Sequence, residues 1–173
     1  VITLLPQSPQ SLFVHDSVSK ELTEVSDNIN EAIELMELME LMELMDAHPF
    51  DLSGGQQQKL AFAKILLKNP QIILLDEPTK GLDSAFKADL AQILKSLTSQ
   101  GKTIIMATHD LEFAASYADR CAMMFDGEII SQDFPHNFFC ENNYYTTHAN
   151  RIIRHLYPKA ITVEDVVELC RKD

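Results

Sequence analysis

The stretch IILLDEPTKGLDS, residues 72–84, joins a short apolar run to two carboxylates and a glycine turn. The run Ile72–Asp76 is apolar up to its last residue, which is typical of a parallel strand buried on both faces. Asp76 and Glu77 close this strand, so we expect both at the carboxyl edge of the sheet, where α/β proteins bind ligands. A strand followed by an acidic turn is common, so the role of the two carboxylates has to be inferred from the sequence around them.

The sequence on both sides of this stretch alternates between helical and strand patterns. Residues 56–68 and 84–97 have apolar side chains at helical spacing, whereas residues 1–5, 103–108 and 121–125 read as strands, that at 103–108 as a buried one. Residues 111–117 read as a helix, and the DGE turn at residues 126–128 leads into a further apolar pair. Alternation from residue 51 to about residue 126 predicts an α/β protein with a parallel sheet and right-handed crossovers.

Composition narrows the class of protein. The chain has 173 residues, for which one domain is the default, and carries 14 Lys and Arg against 26 Asp and Glu, a net charge of −12. Such an acidic chain repels phosphate backbones, so we expect no nucleic-acid partner. No run approaches the length of a membrane-spanning helix. The three cysteines show no metal-binding spacing and are interpreted as thiols in a reducing cytosol.

LSGGQ, residues 52–56, stands directly before a predicted helix. Ser53 offers a hydroxyl, Gly54 and Gly55 allow backbone N–H groups to approach an anion, and the helix N-terminus adds a positive dipole end. The alternative is an ordinary serine cap followed by a glycine turn.

Two further motifs flank the carboxylates. ATHD, residues 107–110, ends a predicted strand and directs His109 to the same sheet edge, although a lone histidine is usually structural. GLDS, residues 81–84, contains Asp83, which can equally cap the helix that follows.

LSGGQQQ, IILLDEPTKGLDS and IIMATHD occur in this order between residues 52 and 110, and together they resemble the ATP-binding-cassette (ABC) ATPases. The resemblance implies a P-loop NTPase-like, RecA-like parallel sheet with a helical subdomain at about residues 16–69. It implies a nucleotide-binding domain over residues 1–131, a tail over residues 132–173, and ATP with Mg²⁺ as cofactors.

The resemblance also implies roles for residues at the sheet edge. Gln7, in LLPQSPQ, looks like the glutamine that reaches Mg²⁺ and the attacking water. Asp76 looks like the aspartate that holds Mg²⁺, Glu77 like the catalytic glutamate, and His109 like the histidine on the γ-phosphate. These roles fit phosphoryl transfer to water, which depends on positioning and charge neutralisation.

A second cassette is implied as a partner, as a homodimer, a heterodimer or a tandem. Ser53, Gly54, Gly55 and Gln56 look like the signature motif, which in the family contacts ATP held by the opposite cassette. Asp83 looks like the aspartate that crosses the dimer interface.

The phosphate-binding loop G-x-x-x-x-G-K-[ST] does not occur within the 173 residues. The segment Gly101–Lys102–Thr103 follows a predicted helix and precedes a predicted strand, the reverse of the required context, so we interpret it as a decoy. In the family this loop precedes the residue that Gln7 resembles. We therefore expect it before Val1, and we expect that this chain alone neither binds ATP tightly nor hydrolyses it.

The tail FFCENNYYTTHANRIIRHLYPKAITVEDV, residues 138–166, resembles the end of the energy-coupling-factor ATPases, which drive vitamin and metal-ion uptake. Thr162 and Asp165 have the T-x-x-D spacing of a capping box, which predicts a final short helix. LLDEPTKGLD, with Lys80, resembles the second cassette of a tandem protein. We therefore expect integral membrane transporter subunits as partners and a peripheral location on the cytoplasmic face of the membrane. The alternatives are a non-transport ABC ATPase and a non-catalytic cassette that only supplies its signature to a partner site.

Residues 34–45 read ELMELMELMELM, one triplet written four times. All three residue types favour helix, so residues 31–45 are predicted to be helical, beyond a first helix that Asp16 can cap. Each triplet falls about 60° short of a full turn, so the glutamates sweep around the helix. The repeat is interpreted either as triplet expansion in a tolerant, solvated helix or as an acidic, methionine-rich surface for a basic helix of a membrane partner.

Overall fold

The computed structural model describes residues 1–26, 28–141 and 145–171. These residues form two compact units, residues 1–108 and 109–173, which are called the first and second unit. Residues 142–144 and 172–173, which belong to the predicted tail, lie outside the described residues. The predicted boundary after residue 131 stays a prediction.

The first unit is built on three parallel strands, β1 (Ile2–Leu5), β2 (Ile72–Asp76) and β3 (Thr103–Ala107), in the order β1-β2-β3. Leu5 pairs with Leu75, and Asp76 pairs with Ala107, so the three strands end at one edge. This confirms the predicted parallel α/β sheet. The helices of this unit are α1 (Val18–Thr23), α2 (Ile29–Leu38), α3 (Gly54–Leu66) and α4 (Ser84–Ser99).

The two faces of this sheet differ. Leu5, Ile73 and Leu75 are buried on one face, where α3 packs against β1 and α4 against β3. On the other face Leu4 and Ile105 are 51% and 59% exposed. The predicted burial is therefore wrong for β3 and only partly met by β2, whose Ile72 and Leu74 are half-buried on this face, because burial depends on what covers a strand as well as on its apolar pattern.

Helix α1 is capped by Ser17, whose hydroxyl accepts from the Lys20 N–H, and the prediction of Asp16 as the cap is wrong. Ser17 has the extended backbone of a cap residue and directly precedes the first helical residue, whereas Asp16 stands one residue too early. The Asp16 carboxylate instead forms an exposed ion pair with Lys20 at 2.8 Å.

A buried ion pair links α1 to α3. The Glu21 side chain is fully buried and pairs with the ammonium of Lys64. The same carboxylate accepts from the backbone N–H groups of Val14 and His15, and the Lys64 ammonium also donates to the Leu12 carbonyl at 2.7 Å. These bonds hold the loop at residues 12–15 against the two helices. They also satisfy both charged groups, and a buried ion pair is tolerated only when its charges have such additional partners.

The ELM repeat is not one helix, so the prediction of continuous helix through residue 45 is wrong. Helix α2 ends at Leu38, and Glu40 has a left-handed backbone with φ of 57°. The Glu40 N–H bonds to the Glu37 carbonyl and the Leu41 N–H to the Met36 carbonyl, which is a Schellman ending. A short 3-10 turn follows over residues 42–44.

Tertiary packing explains why the helix ends inside the repeat. Met36, Met39 and Leu41 are 2%, 0% and 0% exposed, so Met39 and Leu41 at the bend are buried in the core as Met36 is on α2. A continued helix would rotate successive triplets away from one face. The predicted methionine-rich surface is therefore wrong for Met36 and Met39, while Glu34 and Glu37 remain exposed.

The second unit begins with α5 (Leu111–Tyr117) and a hairpin of β4 (Cys121–Phe125) and β5 (Glu128–Asp133), which turns at Asp126 and Gly127 as the DGE stretch predicted. Helices α6 (Pro135–Glu141), α7 (His148–Ile153) and α8 (Val163–Cys170) complete it. Its apolar core contains Phe138 and Phe139.

A capping box opens α8, as predicted. The Thr162 hydroxyl accepts from the Asp165 N–H at 3.1 Å, and the Asp165 carboxylate accepts from the N–H groups of Ile161 and Thr162, each at 2.9 Å. Burial raises the pKa of the Asp165 carboxyl, but these hydrogen bonds lower the pKa by more, and it lies below the ordinary 3.8. Asp165 therefore stabilises the tail in its charged form.

Candidate functional site

The carboxyl edge of the three-stranded sheet gathers the predicted residues of the first unit. Gln7 is exposed and follows β1 by two residues, while Asp76 is the half-buried last residue of β2. Because β1 and β2 are parallel neighbours in register, Gln7, Asp76 and Glu77 all leave the sheet at the same edge.

Glu77 is held in an uncommon backbone conformation. Its φ is 52°, and its N–H donates to the Ala107 carbonyl at 2.9 Å, across the gap to β3. The Thr108 hydroxyl donates to the Glu77 carboxylate at 3.4 Å. A left-handed non-glycine residue persists where its surroundings fix it, and such residues cluster at functional sites. Thr108 lies within the ATHD motif, which pointed to His109 alone.

The signature stretch starts α3 with a complete capping box. The Ser53 hydroxyl accepts from the Gln56 N–H at 3.3 Å, and the Gln56 side-chain oxygen accepts from the Ser53 N–H at 2.9 Å. The alternative of a serine cap is thus present in the structure. It does not exclude ligand binding, because capping uses a lone pair of the hydroxyl and leaves its proton for another acceptor.

The two signature glycines have different surroundings. A Cβ on Gly55 would lie 2.8 Å from the backbone oxygen of Gly81, whereas a Cβ on Gly54 would meet nothing within 4 Å. Gly55 therefore allows the start of α3 to touch the GLDS turn, in which Gly81 itself has a φ of 75°. Gly54 faces open space, where a ligand can approach its backbone.

Asp83 caps α4, since its carboxylate accepts from the Phe86 N–H at 2.8 Å. This is the predicted structural role of Asp83, the alternative to an interface role. The two are compatible, because Asp83 is exposed and one carboxylate oxygen suffices for the cap.

The loop after Gln7 is tied to the signature helix. The Gln10 side-chain amide donates to the Gln57 side-chain oxygen at 3.1 Å, and Gln57 in turn donates to the Pro49 carbonyl at 3.1 Å. Together with the Lys64 contact to Leu12, these bonds join the segment behind Gln7 to α3 at two points.

His109 lies in the second unit, where it is exposed and precedes Asp110, the cap of α5. Its predicted position at the sheet edge stays a prediction.

The predicted context of Gly101–Lys102–Thr103, after a helix and before a strand, is confirmed. The segment joins the end of α4 to β3, and the Lys102 ammonium bonds to the Asn69 side chain at 2.5 Å and the Pro70 carbonyl at 2.9 Å.

The donor set suits a hydrated magnesium ion better than a metal held by protein alone. Among the described residues, no three His, Cys, Asp or Glu side chains lie close enough to form a metal cluster. Mg²⁺ usually keeps several waters and takes one or two carboxylates together with substrate phosphates. Asp76 and Gln7, on one sheet edge, fit that requirement.

Comparison with known proteins agrees with the motifs. The sequence profile of the ABC transporter family matches residues 1–80. A protein of Bacillus anthracis named as an ABC transporter ATP-binding protein is 52% identical over 128 residues, 74% of this chain and 23% of that protein. The energy-coupling factor transporter ATP-binding protein EcfA2 of Staphylococcus aureus is 39% identical over 148 residues, 80% of this chain and 52% of that protein. The chain thus spans about a quarter to a half of these relatives.

Solved structures give the same result. The ATP-binding cassette MJ0796, a dimer in a post-hydrolysis state with ADP and phosphate bound, matches 78% of this chain and 62% of its own, with a TM-score of 0.68 and 31% identity. The chain is similar in sequence and fold to the ABC transporter ATPase domains. The cbiO1 protein of Clostridium perfringens, part of the ABC transporter complex cbiONQ, matches 96% of this chain and 67% of its own, with a TM-score of 0.69 and 26% identity. The predicted α/β P-loop NTPase-like fold is thereby confirmed.

No helix in the described part of the chain is both long enough and apolar enough to cross a membrane.

Proposed function

We propose that this chain takes part in MgATP hydrolysis in an ABC importer of the energy-coupling-factor type, which couples hydrolysis to uptake of a vitamin or a metal ion. Two observations support this type of importer. EcfA2 proteins of Staphylococcus aureus and Staphylococcus saprophyticus are 39% and 33% identical over 80% of this chain. The match to cbiO1 extends over 96% of the chain and therefore reaches into the tail.

The observation that carries the proposed hydrolysis is the shared sheet edge at which Gln7, Asp76 and Glu77 emerge. Asp76 and Gln7 would hold Mg²⁺, which when bound neutralises charge on phosphate oxygens. Glu77 would accept a hydrogen bond from the attacking water and take its proton, as a general base does. The Thr108 hydroxyl restrains the orientation of that carboxylate.

We propose a separate role for residues 53–56, which would contact the γ-phosphate of ATP held by a second cassette. The Ser53 proton and the open side of Gly54 support this role. Asp83 would act across the interface between cassettes, and His109 would donate to the γ-phosphate.

A tandem protein is the proposed arrangement of the two cassettes. The matched 128 residues are 23% of the Bacillus anthracis relative, so a protein of that length has room for a second cassette. Integral membrane subunits are the further partners we propose, with the ATPase at the cytoplasmic face of the membrane.

Two alternatives predict different outcomes. A non-transport ABC ATPase would hydrolyse ATP without binding membrane subunits. A cassette that only lends its signature would depend on Ser53 and not on Glu77.

The test of catalysis is Glu77→Gln in the full-length protein that contains this chain. Loss of a general base lowers turnover by about 10²–10⁴-fold, and nucleotide binding should persist. Glu128→Gln, an exposed glutamate on the hairpin, is the matched control and should keep the parental rate. A parental rate in Glu77→Gln would exclude Glu77 as the catalytic base.

The exposed acidic part of the ELM repeat is proposed to dock a basic helix of a membrane subunit. Glu37 is suited to the test, since Glu40 is already paired with Lys59 inside the chain. Glu37→Lys should weaken co-purification with the membrane subunit, most at low salt, where charges are least screened. Unchanged assembly, equal to that of Glu128→Lys, would leave triplet expansion as the explanation of the repeat.

A further inference from the structure

Lys59 connects three segments of the first unit. It lies on α3, and its ammonium forms an ion pair with the carboxylate of Glu40 in the ELM repeat. The same ammonium stands 4.0 Å from the ring centroid of Phe86 on α4, a cation–π distance. The Lys59 side chain is 11% exposed and that of Glu40 is 71% exposed, so Glu40 reaches Lys59 from the surface.

The two helices joined by the Lys59–Phe86 contact both carry or adjoin proposed site residues. Phe86 donates its N–H to the Asp83 carboxylate, so the ring under Lys59 belongs to the residue that Asp83 caps. On α3, Gly55 abuts the Gly81 carbonyl. Helix α3 therefore meets the GLDS turn at a backbone contact and α4 at the Lys59–Phe86 contact.

Glu40 holds Lys59 from an unusual position. It occupies the left-handed site of the Schellman ending, which glycine normally fills because a side chain is strained there. The carboxylate explains a glutamate at this strained position, because glycine would offer no partner for the Lys59 ammonium.

We propose that Lys59 is a positioning residue, which fixes the signature motif and Asp83 relative to each other, and that Glu40 of the ELM repeat keeps the Lys59 ammonium over Phe86. The proposal rests on the proposed function in so far as the two motifs act on ATP. It gives the ELM repeat a role inside the ATPase, separate from any membrane partner.

The test compares Lys59→Met, Lys59→Arg and Glu40→Gln in the full-length protein. Lys59→Met keeps the apolar stem but loses the charge, and kcat should fall by about tenfold with the KM for ATP changed by less than about twofold. Lys59→Arg retains both the charge and the cation–π contact and should restore kcat to within about threefold of the parent. Glu40→Gln should lie between them, and the Glu40→Gln/Lys59→Met double variant should be no worse than Lys59→Met alone.

Lys95→Met, at an exposed lysine of α4, is the matched control and should leave kcat unchanged. A parental kcat in Lys59→Met, or an arginine variant as impaired as the methionine variant, would overturn the proposal. A simple loss of folding would lower the melting temperature and the active fraction without rescue by arginine.

Amide exchange separates this proposal from the proposed function. If the full-length parent hydrolyses no ATP, the proposed function fails, yet Lys59→Met should still speed exchange at residues 53–57 and 81–86 when Lys95→Met does not. Unchanged exchange in both segments would overturn the positioning role.

Discussion

Replacement of Lys64 by methionine tests the buried ion pair behind the signature helix. The Glu21 side chain has no exposed surface, and that of Lys64 is 10% exposed, so water has little room to replace the lost ammonium. The carboxylate would keep the Val14 and His15 N–H groups as its described partners. Removal of one partner of a buried pair costs about 3–5 kcal/mol, and we expect the low end because two donors remain.

Hydrogen exchange in the full-length protein measures this local free energy. A loss of about 3 kcal/mol should speed exchange by about 100-fold in peptides that cover α1 and α3. The matched control is Lys20→Met. Lys20 lies on α1, as Glu21 does, and its replacement breaks only the exposed pair with Asp16, so these exchange rates should stay unchanged. The double variant Glu21→Gln/Lys64→Met should recover part of the protection, because the neutral amide leaves no unpaired buried charge and its oxygen can still accept from the Val14 and His15 N–H groups. Equal effects of Lys64→Met and Lys20→Met, or a double variant worse than Lys64→Met, would refute the reasoning.

Three further predictions concern other parts of the chain. Gly55→Ala should lower the melting temperature of the full-length protein and its ATPase rate, because the new Cβ meets the Gly81 oxygen, whereas Gly54→Ala should melt like the parent. Asp165→Asn should destabilise the tail by about 1 kcal/mol at neutral pH, measured by exchange in α8. Because the pKa of Asp165 is depressed, the parent holds that stability above pH 3.8 and loses it as the pH falls through the lower folded value, so the two proteins should converge there. Calorimetry on the isolated 173 residues should detect no ATP binding at about millimolar affinity, and clear heat of binding would contradict this.

The elements that the sequence predicted well are those whose signals are local. The apolar run before Asp76 forms β2 with the predicted bounds, and the Thr162 and Asp165 spacing produces the predicted capping box. Ser53, Asp83 and the DGE turn likewise behave as their residue types suggest, because caps and tight turns depend on a few neighbouring backbone groups.

The ELM repeat could not be predicted in this way. Its four triplets have identical local preferences, yet one triplet ends a helix and the next begins a 3-10 turn. The difference comes from burial of Met39 and Leu41 and from the reach of Lys59 to Glu40, which are contacts distant in sequence. The exposure of one face of the sheet could not be predicted for a similar reason, since an apolar strand pattern does not indicate which elements cover the strand.

For the candidate site, the motifs predict the residues but not the contacts that fix their positions. The contact of Gly55 with Gly81 and that of Lys59 with Phe86 depend on how α3 packs against the GLDS turn and α4, which no spacing within either helix encodes. The Thr108 hydroxyl on Glu77 depends in turn on the pairing of β2 with β3.

The Schellman ending inside the repeat has a consequence for how the length of this protein can vary. The ending uses Met36, Glu40 and Leu41, and a shift by one triplet would present Met39, Glu43 and Leu44, the same three residue types in the same three roles. A gain or loss of one triplet would change α2 by about 4.5 Å and still leave a complete helix ending. The repeat therefore allows α2 to be longer or shorter by whole triplets. The glutamate that Lys59 can reach determines which triplet ends the helix.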